Sequence, residues 1–236
     1  FMESKGLITP EAWREFCAST VVLGEFQQFV FSDGDEVWLN VRVSECDPRR
    51  VHTHVCCELL DGDTVLAEQT VPVKATGHRL SASMQICLGQ VHVKPFQPRR
   101  LTVRLTLEDG TVNHYPSWVF PEYPIGITRE GITLGDRRVA FVGSIEEARA
   151  SDVPAIVIPD SIEAGKGKLP AAYASDFWCY PMFRSISESM GKPLPIGTLG
   201  LCIDAQHPWL KAFAQEDYTT PAWYSLIQTA HCEHVD

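Results

Sequence analysis

The chain has 236 residues, 44% of them hydrophobic, enough to give a core to each of two domains of ordinary size, about 100–200 residues apiece. Twenty basic against 30 acidic side chains give a formal charge of −10, and no run of adjacent basic residues exceeds two. Both facts argue against a phosphate backbone or an anionic membrane surface as partner, so no nucleic acid and no membrane are expected. No apolar stretch reaches the roughly 18 residues of a spanning helix and no signal peptide is present, while the opening Phe1-Met2-Glu3 reads as the middle of a longer parent.

Residues 9–20 are expected to form a short helix: Thr9 suits the N-cap, Pro10 the first helical position and Glu11 the positive end of the helix dipole. Trp13, Phe16 and Cys17 would share one face, which should lie against something. From Gln27 to Val119 the apolar period becomes two. Val37, Leu39, Val41 and Val43 point one way while Asn40 and Arg42 point the other, and further strands are expected at 52–60, 64–73, 80–88, 101–107 and 112–119. Asp61-Gly62 and Asp109-Gly110 are hairpin signals, because glycine tolerates the positive φ of tight turns. Strands at this spacing imply an immunoglobulin-like antiparallel β-sandwich.

Pro121 and Pro124 end the sandwich, since each removes a ladder donor. Beyond them Arg138–Gly143 reads as a buried strand, Ser144 as a helix N-cap followed by Glu146 and Glu147, and Pro154–Pro159 as a second strand. Strand, helix and strand within about 20 residues indicate a parallel βαβ unit. A helix over 183–190 stopping at Gly191, a buried strand over 197–204 and helices over 207–213 and 221–230 complete the expectation. The fold class is therefore mixed: a helical lead-in over 1–20, the sandwich over 21–124, and a small α/β domain with a mainly parallel sheet over 125–236.

Eight cysteines, at 17, 46, 56, 57, 87, 179, 202 and 232, show neither a C-x-x-C pair nor zinc-ligand spacing. Cys56, Cys57, Cys87 and Cys202 sit in apolar runs, where a thiol acts as a small hydrophobe, so reduced thiols and a cytoplasmic setting are favoured over a disulfide scaffold. His52 and His54 are expected on one face of a strand, and His231-Cys232-Glu233-His234 is rich in ligands. Two neighbouring ligands fall short of a closed metal site, and no metal or cofactor is expected. The Gly165-Lys166-Gly167-Lys168 loop lacks the phosphate-cradling context. A nucleophilic Cys179 or Cys202, assisted by His207 or His231, would make the α/β domain a hydrolase or amidotransferase-like enzyme, but no Gly-x-Cys-x-Gly elbow surrounds either thiol.

The segment with the most chemical character is Ser175-Asp176-Phe177-Trp178-Cys179-Tyr180-Pro181-Met182-Phe183, followed by Gly197-Thr198-Leu199-Gly200-Leu201 and His207-Pro208-Trp209. Aromatic faces with an adjacent carboxylate can hold a sugar, which makes Asp176, Trp178 and Tyr180 the candidate substrate-binding residues. The alternative, which is favoured, has Asp176 capping a turn or pairing with Arg184 and Trp178 filling a core.

These segments, with Ala12–Cys17 and Tyr115–Pro121 ahead of them, resemble in order the C-terminal region of bacterial glycoside hydrolase family 2 proteins of the β-galactosidase-like or sugar-binding kind. The resemblance implies an exo-acting glycosidase parent, with Ala12–Cys17 leaving an upstream catalytic barrel and Tyr115–Pro121 closing the sandwich. In that family two glutamates at barrel strand ends perform catalysis, one of them in an Asn-Glu pair. Retaining hydrolysis needs two carboxyls about 5–5.5 Å apart. This chain contains neither an Asn-Glu dipeptide nor an eightfold βα pattern, so no catalytic residue is assigned. The expectation is a non-catalytic accessory region whose partners are the barrel of its parent and a carbohydrate. The alternatives are a carbohydrate-binding module and the cysteine-dependent enzyme above.

Overall fold

The computed structural model describes residues 6, 8–77, 79–95, 97–122, 126–158, 171–172, 180–192, 197–198, 203–208, 210 and 216–223. It is β-rich, with several sheets. Two compact units divide the chain, one formed by residues 1–122 and 206–214, the other by 123–205 and 215–236. Among the described residues no helix is long and apolar enough to cross a membrane.

The first unit opens with α1 (Pro10–Arg14), where the Thr9 hydroxyl accepts from Ala12 N at 3.2 Å. The helix stops six residues short of the expected Thr20. Glu15 leaves it to hold His114, its carboxylate meeting Nδ1 at 3.0 Å and the backbone N–H at 3.2 Å, and Thr20 already belongs to a strand. Trp13 and Phe16 stack edge to face at 5.2 Å but are 49% and 55% exposed, so the expected packed face is open.

Nine strands follow: β1 (Thr20–Phe26), β2 (Val30–Ser32), β3 (Glu36–Glu45), β4 (Val51–Asp61), β5 (Thr64–Thr76), β6 (Arg79–Leu80), β7 (Met84–Gln90), β8 (Arg99–Leu107) and β9 (Val112–Phe120). In one sheet β3 lies between β1 on one side and β6 and β7 on the other. The second sheet has the order β2-β9-β8-β4-β5. All pairs are antiparallel except β2 with β9, which is parallel. Gly62 and Gly110, at φ 56° and 85°, make the hairpins that Asp61-Gly62 and Asp109-Gly110 foretold. The strand β1 escaped the periodicity because Thr20, Val21 and Val22 are buried in succession, without alternation.

Alternation builds the core. Val37, Leu39, Val41 and Val43 from one sheet meet Val55, Cys57, Leu59, Val103 and Leu105 from the other in a single buried cluster. Each large side chain removed from water there contributes about 1.5–3 kcal/mol. Tyr115 ties the two sheets: its hydroxyl accepts from Gly24 N and from Asn113 Nδ2, both at 2.9 Å.

In the second unit, β10 (Gly126–Thr128), β11 (Gly131–Leu134) and β12 (Arg137–Val142) form an antiparallel meander, and β13 (Ala155–Val157) joins β12 in parallel. Between β12 and β13 lies α2 (Ile145–Ala150), capped by Ser144, whose hydroxyl accepts from Glu147 N at 3.2 Å. The sheet is therefore mixed where a mainly parallel one was expected. The difference is a tight turn at Gly135-Asp136, with Gly135 at φ 62°, which the sequence reading passed over. A further parallel pair joins β14 (Ala171–Ala172) to β15 (Gly197–Thr198). The helix α3 (Tyr180–Ser189) ends at Gly191, φ 60°, in the C-terminal position expected of it. A 3-10 helix covers Pro221–Trp223, while in the first unit Leu210 N donates to the His207 carbonyl at 2.9 Å.

Candidate functional site

The strand period places Glu45 where the core should be. It follows Val37, Leu39, Val41 and Val43 on the inward face of β3, and its side chain is fully buried. An unpartnered buried carboxylate would be strongly destabilising, and this one is fully engaged. Its Oε1 accepts from Asp47 N at 2.6 Å, and its Oε2 accepts from the Thr20 hydroxyl at 2.8 Å and meets His52 Nε2 at 2.7 Å. Burial raises the carboxyl's proton affinity, but the hydrogen bonds from Asp47, His52 and Thr20 outweigh it and hold the carboxyl below its ordinary value. An ionised carboxylate only accepts, so Nε2 carries the proton in this pair.

His52 reaches Glu45 because β4 carries a bulge. The register against β5 shifts between His52 and His54, so the two histidines do not share a face: His52 is buried and His54 is exposed. This corrects the expectation of a two-histidine face. A bulge adds a residue to one strand and re-aims the side chains beside it.

The pair lies beneath a cleft of about 680 Å³ whose walls include Glu11, Arg14, Arg50, His52, Glu108 and Asp109. Arg50 Nη1 donates to the Thr20 hydroxyl and to Asp109, both at 3.1 Å. The Nδ1 atom of His52 is buried without a hydrogen-bond partner, 4.0 Å from Glu108 Oε2. Glu108 itself accepts from Thr53 N at 2.8 Å, and its carboxyl is held low by that backbone contact against the opposing effect of burial. The arrangement joins Thr20 and Glu45 of one sheet to His52 of the other. It can orient an imidazole, but among the described residues no hydroxyl or thiol is hydrogen-bonded to its Nδ1.

A second cluster lies on the sheet's other face, where ligand atoms of Cys56, Glu58 and Glu68 fall within 4.8 Å of one another. Both Glu58 oxygens are already engaged by Arg104, at 2.6 and 2.7 Å, and burial pushes the Cys56 thiol up, with help from Glu58 and Glu68. The cluster is an ion pair with a protonated thiol beside it. Burial also pushes Cys57 up to about 12, which makes that thiol inert at neutral pH.

Of the residues singled out in the sequence, Asp176 and Trp178 lie outside the described residues, and so do Cys179, Cys202 and the 231–234 cluster. Tyr180 begins α3, and its side chain lies outside the description too. Sequence reasoning missed Glu45 and Glu108. The signal for Glu45 was present: it is the fifth member of an i, i+2 series whose first four members are valine or leucine.

A family model described as a domain of unknown function, DUF8487, matches residues 152–236. No curated protein matches the chain. Among solved structures the chain is similar to Spo0M, a sporulation control protein from Bacillus subtilis, with a TM-score of 0.27 and 11% identity over 45% of this chain and 50% of that one. The match therefore spans half the length of that protein.

Proposed function

We propose that this chain is a non-catalytic accessory region of a larger, exo-acting, β-galactosidase-like glycoside hydrolase, supporting carbohydrate breakdown by the full-length enzyme. In this reading residues 21–124 are an immunoglobulin-like sandwich and residues 125–236 an α/β domain, with a catalytic barrel of the same parent as the partner. Two facing sheets around one core support the first assignment. The parallel pairing of β12 and β13 across α2 supports the second.

The observation that carries the non-catalytic reading is the state of Glu45. Acid–base hydrolysis of a glycoside needs two carboxyls free to meet substrate and water. The carboxylate beneath the cleft is instead sealed from solvent, with both oxygens committed to three donors of the protein itself, and in the wall Glu108 is held by Thr53 and Asp109 by Arg50 and Thr111.

The purified 236-residue chain should not turn over a panel of nitrophenyl β-glycosides. Turnover abolished by a carboxylate substitution within the chain would refute the reading, as would an upstream coding sequence without a barrel. Trp178→Ala separates the two roles open to the aromatic segment. A sharp fall in melting temperature assigns Trp178 to packing; unchanged melting with lost sugar binding assigns it, with Asp176 and Tyr180, to a ligand.

A further inference from the structure

We propose that the outer face of β3 around Trp38 is a binding site for a neutral carbohydrate, a site distinct from the Glu45 cleft. The inference rests on the carbohydrate reading above and names a place where this chain itself would touch the sugar.

The strand period fixes the direction of Trp38. Val37 and Leu39 are 1% and 2% exposed and belong to the core, so Trp38 between them stands on the opposite face, where it is 41% exposed. A tryptophan left in water there adds nothing to the core. Its ring is nonetheless held in place, because the indole Nε1 donates to Glu36 Oε2 at 2.9 Å. The strand is also irregular at this point: the register against β7 shifts between Glu36, which faces Gln90, and Trp38, which faces Cys87. Bulges recur where a sheet re-aims a side chain toward a ligand.

The surroundings select the ligand. Trp38 borders a concavity of about 420 Å³ lined also by Gln27 and Gln28 after β1, by Asp35 and Glu36 before the bulge, and by Gln90 at the end of β7. That volume lies within the roughly 300–1,000 Å³ of small-ligand sites. Among the described residues no lysine, arginine or histidine lines it, so these walls offer a phosphate, sulfate or uronate no counter-charge. Three amides each offer two donors and an acceptor, which matches hydroxyl groups that also donate and accept. The two carboxylates favour a cation less than their charge suggests. Glu36 is engaged by the indole N–H, and Asp35 accepts from Ser32 N at 2.7 Å, which fixes the turn. The Asp35 carbonyl accepts from Val91 N at 2.9 Å, so the wall of the concavity is tied to the segment after β7. A rigid aromatic plane beside amide and carboxylate acceptors fits a pyranose, whose C–H face stacks on the ring while its edge hydroxyls reach the polar rim.

The test uses the full chain titrated with β-galactosides and plant β-linked oligosaccharides, read by calorimetry and tryptophan fluorescence. Saturable binding is expected, weakened at least tenfold by Trp38→Ala and less by Gln90→Ala, with Trp13→Ala unchanged; the melting curves of all three variants confirm that they fold. Binding that survives Trp38→Ala would place the sugar elsewhere and overturn this site, while leaving the glycosidase reading intact. No binding of any neutral sugar by the wild-type chain, or Trp38-dependent binding of a lysine-rich peptide in its stead, would overturn the site as well. The nitrophenyl glycoside assay is independent of all these outcomes, so failure of the site and failure of the accessory reading are told apart.

Discussion

Glu45 and His52 sit on facing sheets and share a 2.7 Å hydrogen bond inside the molecule, with the Thr20 hydroxyl on the same carboxylate oxygen. The bond spans a short loop, and the loop returns a second contact through Asp47 N. Removing one partner of such a pair strands the other, and losses of about 3–5 kcal/mol are typical. For a domain stable by about 5–15 kcal/mol this is a large fraction. Glu45→Ala should therefore lose about 3–5 kcal/mol in urea denaturation and His52→Ala less, since Glu45 would keep Asp47 and Thr20. The double variant should be less than additive. A Glu45→Ala loss under about 1 kcal/mol would mean that the pair does not lock the sheets.

Acid should unfold the first unit through the same groups. Arg104 holds Glu58 low by hydrogen bonding, whereas in Glu45, Glu108 and Asp109 hydrogen bonds overcome a raising effect of burial. All four carboxyls bind protons less readily folded than unfolded. Their stabilisation is complete above the ordinary carboxylate range and is lost as pH falls through the folded values, where the unfolded chain takes up more protons. Urea midpoints should be level near pH 7 and fall steadily below about pH 4.5. Glu58→Gln should flatten that fall, and a midpoint rising toward acid would contradict the account.

The alternation in β3, β4 and β8 made most strands of the first unit legible, because one apolar face per strand leaves a period of two in the sequence. The site was less so. Glu45 obeys the same period, but a charge at a strand end ordinarily signals water, and only the partners from β1 and β4 reveal why it turns inward. His52 and His54 misled because a bulge changes the face without changing the composition. Ser144, Glu146 and Glu147 announced α2 through local capping and the apolar run after Arg138 announced β12, whereas β10 is exposed throughout and left no alternation to read.

The thiols offer a check on both burial and chemistry. Cys17 and Cys46 are exposed, Cys56 and Cys87 half-buried and Cys57 buried, and all five are free. Iodoacetamide at neutral pH should reach Cys17 and Cys46 first. Cys57 should resist until the sheets separate, because access is closed and burial, then Cys56 and Glu58, keep the thiol protonated. Peptide mapping of a labelling time course measures this order. Rapid labelling of Cys57 in the folded chain would mean that the core opens locally.

Gly77, just after β5, packs against the loop that holds the Glu45 pair. A Cβ at this position would fall 2.1 Å from Pro48 Cα and 2.6 Å from the Asp47 carbonyl oxygen, distances that no side-chain rotation relieves because the atoms met are backbone. Gly77→Ala must therefore push the Asp47-Pro48 loop away from the end of β5. That loop carries the N–H that holds Glu45 Oε1 at 2.6 Å, so the displacement loosens the carboxylate's grip as well as the local packing. Overpacking of this kind typically destabilises by about 1–3 kcal/mol. If the damage runs through Asp47, Gly77→Ala and Glu45→Gln act on one network, and their combined loss should fall short of the sum by at least about 0.5 kcal/mol. Urea midpoints of the two single variants and the double variant decide it. Strict additivity would confine the effect of Gly77 to its own contact and leave the Glu45 pair independent of the loop.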